Sequence, residues 1–253
     1  MSQPATFEEL LAEAQAVPVQ GWDFSWFDGR ASEERPSWGY SRILAARMAQ
    51  ASAALDIQTG GGEVLAGITD PPALLVATES WPPNVEVARR TLRSLPASVV
   101  EAADAADLPF TADCFDLAVS RHPTVTVWAE ISRVLRPGGT YLSQQVGAGS
   151  VRELTDCMMG PQPVSQARNA TRAAEGARAA GLVVIDLRHA VLRTVFHDIG
   201  AVVYFLRKVP WTVPGFTVDR YRRQLAALHD QIQHQGPFVA HARRFLIETH
   251  KPK

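Results

Sequence analysis

One stretch decides the fold: Ala53-Ala54-Leu55-Asp56-Ile57-Gln58-Thr59-Gly60-Gly61-Gly62-Glu63, in which a short apolar strand runs through an acid into a glycine turn. Glycine adopts positive φ and lets a ligand approach the backbone closely. A helix that begins near Glu63 would leave free N–H groups at this turn. A second acid, Glu79, follows the next apolar strand, where a carboxylate can accept two ribose hydroxyls. The pattern therefore predicts a pocket for a nucleotide-type cofactor.

The composition indicates a globular protein with a sizeable core. The chain has 253 residues, of which 46% are hydrophobic and 20% are charged. A net charge of −1 and the lack of a long basic run argue against nucleic-acid binding. Cys114 and Cys157 offer neither a disulfide framework nor a metal-ligand spacing, which fits a reducing compartment. We expect a cytoplasmic protein, because the acidic N-terminus does not resemble a signal peptide and no window approaches the roughly 20 apolar residues of a membrane span.

Strands and helices alternate through the middle of the chain. Apolar strands are predicted at 53–57, 73–78, 98–102, 115–120 and 140–146. The helices predicted around them are 41–52, a helix from Glu63, 84–94 and 126–135. This alternation is typical of a buried parallel sheet with helices on both faces. An alanine-rich helix at 163–180 and strands at 182–195 and 244–249 complete the pattern.

Three regions follow from this pattern. Residues 1–40, with a predicted helix at 6–17 and an aromatic stretch at 21–30, are expected to form a lid or an aromatic plug over one end of the core. Residues 41–195 and 243–253 form the sheet domain. Residues 196–242 are a helical insert before the last strand that the sheet does not require. Placed above the carboxyl ends of the strands, the insert would be a substrate cap, and the alternative is a dimerisation arm.

Four motifs, in order along the chain, resemble those of the class I S-adenosylmethionine-dependent methyltransferases, especially the bacterial branch that acts on small molecules. They are the glycine turn at 56–62, Glu79, the segment 104–110 followed by Phe115-Asp116-Leu117, and the segment 130–139. Any one of the four motifs is weak evidence for this resemblance, but all four in this order are strong evidence for it. The resemblance implies a Rossmann-like, seven-stranded, mostly parallel α/β sheet whose last strand runs antiparallel, with S-adenosylmethionine bound across the strand ends.

The resemblance also implies a set of cofactor-binding residues: Asp56, Gln58, Thr59, Gly60, Gly62, Glu79, Ser80, Trp81, Asp104, Ala105 and Ser120. The glycine turn would hold the methionine portion of the cofactor, Glu79 its ribose and Asp104 its adenine. Asp56 can alternatively serve only to satisfy N–H groups of the turn. Gln58 is the departure from the family pattern, because it stands where the family has its first glycine. It either adds a hydrogen bond to the cofactor or weakens cofactor binding.

The candidate base is His122, which directly follows the strand at 115–120 and whose ordinary pKa near 6.5 suits proton abstraction. The alternative is a histidine that caps the strand end. Arg121, His197 and Trp211 are candidate substrate contacts, although Arg121 can instead pair with a carboxylate and His197 can belong to a helix cap. We expect no metal site, because the histidines lack acid partners at ligand spacing.

The sequence thus predicts methyl transfer to an oxygen, nitrogen or carbon atom of a small organic molecule by a monomer or homodimer. Such a transfer is an in-line displacement, so the enzyme mainly positions the nucleophile and, where needed, removes its proton. The alternative is a protein that binds the cofactor without methyl transfer, as a binding subunit or a pericyclase-like scaffold. RNA methylation is disfavoured because no RNA-binding module is visible. A dinucleotide-binding dehydrogenase is disfavoured because Leu65 stands where its fingerprint requires glycine or alanine.

Overall fold

A mixed sheet forms the centre of the computed structural model, which describes residues 5–105 and 107–253. Residues 1–4 of the predicted lid and Ala106 of the acidic motif lie outside the described residues. The strands are β1 (Ala31–Glu33), β2 (Ala53–Asp56), β3 (Leu74–Glu79), β4 (Ala97–Glu101), β5 (Phe115–Arg121), β6 (Leu135–Val146), β7 (Val183–Phe196) and β8 (Phe238–His250). Their order in the sheet is β1-β7-β8-β6-β5-β2-β3-β4.

The strand directions confirm a mostly parallel sheet whose last strand is reversed. Neighbours among β2 to β6 pair in parallel, whereas β8 runs antiparallel to both β6 and β7. The strand order reverses at β2, which lies between β3 and β5. Open α/β sheets bind ligands outside the carboxyl ends of their strands at such a reversal. The fold therefore brings Asp56, Glu79 and Arg121, each the last residue of its strand, to one edge of the sheet.

Helices cover both faces of the sheet. They are α1 (Phe7–Ala16), α2 (Tyr40–Met48), α3 (Pro82–Thr91), α4 (Trp128–Val134), α5 (Arg152–Met159), α6 (Ala170–Ala179), α7 (Ile199–Lys208) and α8 (Arg222–Gln235). Successive strand residues point to opposite faces, so Ala54 and Leu55 of β2 mark the two sides. Leu44 of α2 packs in the same apolar cluster as Ala54, and Ile131 of α4 packs in the cluster of Leu55.

The described part of the sheet contains one strand more than the seven predicted. The additional strand, β1, pairs antiparallel with β7, and Ala31 lies opposite Phe196. Its sequence, Ala31-Ser32-Glu33, has no apolar alternation and gave no strand signal. β1 covers the outer edge of β7, whose backbone groups would otherwise be unpaired along those residues. It also brings Glu33 toward the carboxyl end of the sheet.

The predicted helix from Glu63 is wrong. Only a short 3-10 turn, Leu65–Gly67, follows the glycine turn. Gly67 and Pro71-Pro72 leave too few residues for an α-helix before β3 begins, because glycine and proline both interrupt helices. Conversely, the helix predicted at 163–180 is shorter in the structure, and α5 was not predicted. No α-helix N-terminus therefore stands behind the glycine turn.

The N-terminal segment and the 196–242 insert share one apolar cluster. Leu11 of α1, Leu206 of α7 and Leu225 of α8 are buried in it. Phe196, at the end of β7, belongs to the same cluster. The predicted lid and the predicted cap therefore pack on each other beside the sheet. None of the helices among the described residues is long and apolar enough to cross a lipid bilayer.

Candidate active site

Glu79 ties the end of β3 to the glycine turn. Its Oε2 accepts a hydrogen bond from the Gly60 amide at 2.8 Å, and its Oε1 accepts from the amides of Ser80 and Trp81, both at 3.0 Å. The residue is 7% exposed. Burial raises the pKa of the carboxyl above its usual range, although the three amide donors oppose that shift. The carboxylate predicted to bind ribose is thus already hydrogen-bonded to the protein backbone.

Trp22 lies against the glycine turn. Gly60 has a φ of 66°, and a Cβ added to it would lie 2.0 Å from Cδ1 of the Trp22 indole. The Trp22 amide donates to Oε1 of Glu63 at 2.7 Å, and the preceding amide, of Gly21, donates to Oδ1 of Asn84 at 2.8 Å. These bonds anchor the predicted lid where the sequence predicts bare backbone for a ligand.

Gln58 has a backbone conformation that favours glycine. Its φ is 61°, in the left-handed region, which costs a non-glycine residue roughly 1–2 kcal/mol. Its side chain compensates through two hydrogen bonds: Nε2 donates to the Val125 carbonyl at 2.7 Å, and Oε1 accepts from the Thr124 amide at 2.6 Å. The side-chain amide therefore holds the glycine turn to the loop that follows β5.

The same loop is bonded to the predicted adenine acid. Oγ1 of Thr124 donates to Oδ2 of Asp104 at 2.6 Å and lies 3.1 Å from Oε1 of Gln58. We call this connection the Gln58–Thr124–Asp104 bridge. The cavity that Gln58 and Asp104 both line has a volume of only about 20 Å³. The bridge thus spans the gap between the glycine turn and Asp104.

Asp56 is buried at the end of β2. Its Oδ2 accepts a hydrogen bond from Oγ1 of Thr59 at 2.7 Å. Burial raises the pKa of Asp56 to about 7; the Thr59 bond opposes the shift and the nearby Glu79 charge adds to it. Near neutral pH, Asp56 therefore titrates rather than remaining fully charged.

A much larger cavity, which we call the chamber, begins beside Asp56 and Gln58. Its volume is about 1440 Å³. The N-terminal segment, the loop after β6 and the 209–214 loop contribute to its wall, and Arg121, His122 and Trp211 line it. The structure therefore brings together two of the three predicted substrate contacts, the candidate base and the glycine turn.

His122 is held by a short polar network at the chamber wall. Nε1 of Trp38, which can only donate, bonds to Oε1 of Gln144 at 2.8 Å, so Nε2 of Gln144 is left to donate to Nε2 of His122 at 3.0 Å. The proton of the neutral imidazole then sits on Nδ1. Burial lowers the pKa of His122 well below its usual value, and the charges of Arg244, Arg121 and Arg168 lower it further. His122 is neutral at physiological pH.

Three guanidinium groups surround the His122 side of the chamber, and only one has a carboxylate partner. Arg244 Nη2 forms bonds of 2.8 and 2.9 Å to the two oxygens of Glu33, on β1. Among the described residues, the side chains of Arg121 and Arg168 have neither a hydrogen bond to protein nor an ion pair within 4.0 Å. Arg168 lies over the Trp211 ring at 5.4 Å. Desolvation lowers the pKa of both unpaired side chains.

Other predicted site residues lie outside the chamber. The Ser120 hydroxyl is buried in the sheet and bonded to Tyr141 and Ser143, at 2.7 and 2.8 Å. His197 is exposed beyond the end of β7 and does not line the chamber, so the structure does not bring it together with Arg121 and Trp211, and its role as a substrate contact stays a prediction. The helix cap is formed by the neighbouring residue Asp198, whose side chain accepts a hydrogen bond from the Ala201 amide at the start of α7. Trp81 is 43% exposed.

Several residues of the site were not predicted from the sequence: Trp22, Glu33, Thr124, Gln144, Arg168 and Arg244. Trp22 belongs to the aromatic stretch that marked the lid, and Thr124 lies two residues beyond His122. The remaining four carry no local signal. Across the described residues, no group of three or more His, Cys, Asp or Glu side chains is placed to hold a metal ion.

Comparison with known proteins agrees with the geometry. Residues 55–143 match the family model of a methyltransferase domain. A candidate methyltransferase from Bacillus halodurans C-125 has a similar structure, with a TM-score of 0.61 and 16% identity over 85% of this chain and 100% of that one. No curated protein is significantly similar to the chain in sequence.

Two further solved structures share the fold. A geranyl diphosphate methyltransferase in complex with GPP and sinefungin has a TM-score of 0.52 and 15% identity, over 85% of this chain and 78% of that one. The (4+2)-cyclase SpnF has a TM-score of 0.52 and 20% identity, over 96% of this chain and 91% of that one. At these identities the structures show the fold alone. Residues 55–143, about a third of the chain, are thus similar to a methyltransferase domain, and the solved structures share the fold of the whole sheet.

Proposed function

We propose that the protein transfers a methyl group from S-adenosylmethionine to an oxygen, nitrogen or carbon atom of a small organic acceptor held in the chamber. The chamber is the observation that carries this proposal. Its volume, about 1440 Å³, exceeds that of most small-molecule sites, and it meets the methyltransferase domain at Asp56 and Gln58. The 209–214 loop lines it, which supports the 196–242 insert as a substrate cap.

The chemistry of the donor set supports S-adenosylmethionine as the cofactor. Glu79 ends β3 and Asp104 follows β4, and carboxylates accept hydrogen bonds from the hydroxyl and amino groups that ribose and adenine offer. A neighbour of the same fold is solved with sinefungin, an analogue of this cofactor. Gln58 and Asp104 line a small cavity of about 20 Å³ that Glu79 does not reach. Because the Gln58–Thr124–Asp104 bridge crosses between the glycine turn and the proposed adenine acid, we propose that cofactor binding opens it.

When bound, S-adenosylmethionine supplies an electrophilic methyl group on a sulfonium centre. The chain's own residues position the acceptor for an in-line displacement. His122, neutral and protonated on Nδ1, donates a hydrogen bond to the acceptor and orients it. For His122 to remove a proton instead, the imidazole would first have to exchange its bond with Gln144, and its lowered pKa makes it a weak base.

The experiment that tests the cofactor assignment is a calorimetric titration with S-adenosylhomocysteine. We expect binding by the intact protein and its loss in Glu79→Gln, which keeps the side-chain shape but removes the charge. Glu86→Gln, on the exposed face of α3, is the matched control and should bind as the intact protein does. Absence of binding to the intact protein would overturn the proposal, and thermal melting of each variant excludes a folding defect.

A second function is favoured by one observation, the Gln58 side chain that is hydrogen-bonded within the Gln58–Thr124–Asp104 bridge. In this second function, the protein uses the chamber for binding or for a reaction without methyl transfer. The neighbour SpnF is a cyclase, so the fold accommodates a reaction of another class. Formation of S-adenosylhomocysteine from S-adenosylmethionine with any acceptor would exclude this second function.

A further inference from the structure

Two arginines on the chamber wall beside His122, Arg121 and Arg168, have no carboxylate partner among the described residues. The carboxylates on the wall are Asp28, Glu33, Glu34, Asp56 and Glu63. Glu33 is paired with Arg244, and Oε1 of Glu63 accepts from the Trp22 amide. Glu34 accepts from the Arg193 amide, and Asp56 is buried with a raised pKa. None of these five acids forms an ion pair with Arg121 or Arg168 within 4.0 Å in the described residues.

Arg121 and Arg168 differ from the other unpaired arginines of the wall, Arg35 and Arg42, because desolvation lowers the pKa of both. Arg121 presents surface to the cavity, yet the surrounding protein desolvates it enough to lower its pKa. Arg168 is half-buried and lies over the Trp211 ring. Arg121 is the last residue of β5 and directly precedes His122, and Arg168 lies in the short 3-10 turn before α6. Like charges in a partly desolvated site repel one another, and a bound anion relieves that repulsion.

Apolar side chains contribute most of the exposed surface of the wall. Aromatic side chains contribute much of it: Trp22, Phe24, Phe27, Phe196, Phe205 and Trp211. The chamber therefore combines donors for an anion at one end with surface for an apolar body.

We infer that the acceptor carries a carboxylate or phosphate group, which binds between Arg121 and Arg168, and an apolar body that packs on the aromatic wall. This inference rests on the proposed function, because it takes the chamber as the acceptor site. Guanidinium groups suit this role, since their planar N–H donors match the oxygens of carboxylates and phosphates in pairs. The anion also places the acceptor beside His122, which adjoins Arg121.

The test is thermal melting of the full chain, without cofactor, in inorganic phosphate, benzoate or benzamide at matched ionic strength. Benzamide has the shape of benzoate without its charge. We expect benzoate or phosphate to raise the melting temperature by an amount on the order of 3 °C, and benzamide to leave it unchanged. A rise in melting temperature with benzoate indicates a carboxylate ligand, and a rise with phosphate indicates a phosphate ligand.

Two variants assign the effect to the site. Arg121→Gln and Arg168→Gln should each abolish the anion-dependent shift and should not lower the melting temperature in chloride, because each removes an unpaired charge. Arg90→Gln, on the exposed surface of α3, is the matched control and should retain the shift. The inference is overturned if neither anion stabilises the protein, or if the two variants respond as the intact protein does. Since no cofactor is present, this outcome is independent of S-adenosylhomocysteine binding.

Discussion

The two halves of the site differ in how their polar groups are paired. The cofactor half is the glycine turn with Glu79 and Asp104. In it, Glu79 accepts hydrogen bonds from three backbone amides, and Thr124 joins Gln58 to Asp104 by hydrogen bonds. In the chamber half, Arg121 and Arg168 have no such partners among the described residues. A ligand of the first half meets acceptors that already bond to the protein, whereas a ligand of the second half meets free donors.

This difference has an energetic consequence. The apparent affinity for a ligand falls by the fraction of molecules in the binding-competent state, so a closed bridge weakens cofactor binding. Free donors in the chamber impose no comparable cost. Substitutions that remove the bridge should therefore strengthen cofactor binding, whereas substitutions in the chamber half should change the contacts with the ligand directly.

The largest expected effect concerns Asp56, which lies where the two halves meet. Its folded pKa, about 7, is above the ordinary value of 3.8, so the folded state keeps a proton that the unfolded chain has released. Stability should therefore fall as pH rises from about 4 to about 7, by a few kcal/mol in total. Asp56→Asn should remove this dependence.

The measurement is the free energy of unfolding in urea at pH 4.5 and pH 8. Relative to the intact protein, Asp56→Asn should be more stable at the higher pH than at the lower. Asp70→Asn, at an exposed position, serves as the control. An equal difference between Asp56→Asn and the intact protein at both pH values would contradict the pKa argument.

Gln58→Gly should open the cofactor half. The substitution relieves the left-handed strain and removes the side-chain bonds to the loop after β5, so these two effects on stability largely cancel. We expect roughly tenfold tighter binding of S-adenosylhomocysteine by calorimetry, since the bridge no longer competes. Gln50→Gly, just beyond α2, tests the same residue change away from the site. Weaker binding by Gln58→Gly would mean that Gln58 contacts the cofactor instead of competing with it.

His122→Asn probes the chamber half. Asparagine tolerates the left-handed backbone at this position, where φ is 56°, and retains a hydrogen-bond donor. If His122 orients the acceptor, His122→Asn should lower the rate of methyl transfer several-fold. The pH–rate profile of the intact protein should then show no inflection near pH 6.5. Loss of a general base would lower the rate of methyl transfer about a hundredfold or more. A loss of that size in His122→Asn would show that His122 acts as a base.

Thr124→Val has the smallest expected effect. It removes the hydroxyl bond to Asp104 but leaves the backbone bond to Gln58 and the side-chain shape. Binding of S-adenosylhomocysteine should tighten by a factor of about three, which is under 1 kcal/mol. Thr124→Ser keeps the hydroxyl and should match the intact protein. A loss of affinity in Thr124→Val alone would show that the hydroxyl serves the cofactor.

The strand pattern was readable from the sequence because buried parallel strands are short apolar runs between turn residues. It placed Asp56, Glu79 and Asp104 at the ends of their strands, and the structure confirms those positions, while their cofactor roles remain predictions. β1 was not predictable, since its three residues become a strand only by pairing with β7, far along the chain. The helix after the glycine turn was expected from the strand and glycine pattern, but Gly67 and Pro71-Pro72 prevent it.

The sequence could not predict which side chains of the site would form hydrogen bonds with each other. Gln58 and Thr124 are 66 residues apart, and their bond depends on where the loop after β5 lies. Arg168 reaches the chamber from a turn that no local pattern connects with β5. Gln58 itself was recognisable as a departure, but whether it would contact the cofactor or another part of the protein depended on tertiary structure.

The most direct test of the closed cofactor half is hydrogen exchange at the Thr124 amide, which donates to Gln58. It should be measured by NMR in the presence and absence of S-adenosylhomocysteine. If the cofactor displaces the Gln58–Thr124–Asp104 bridge, exchange at Thr124 should become faster when the ligand binds, while amides within β2 remain protected. Binding of S-adenosylhomocysteine with undiminished protection at Thr124 would contradict the account.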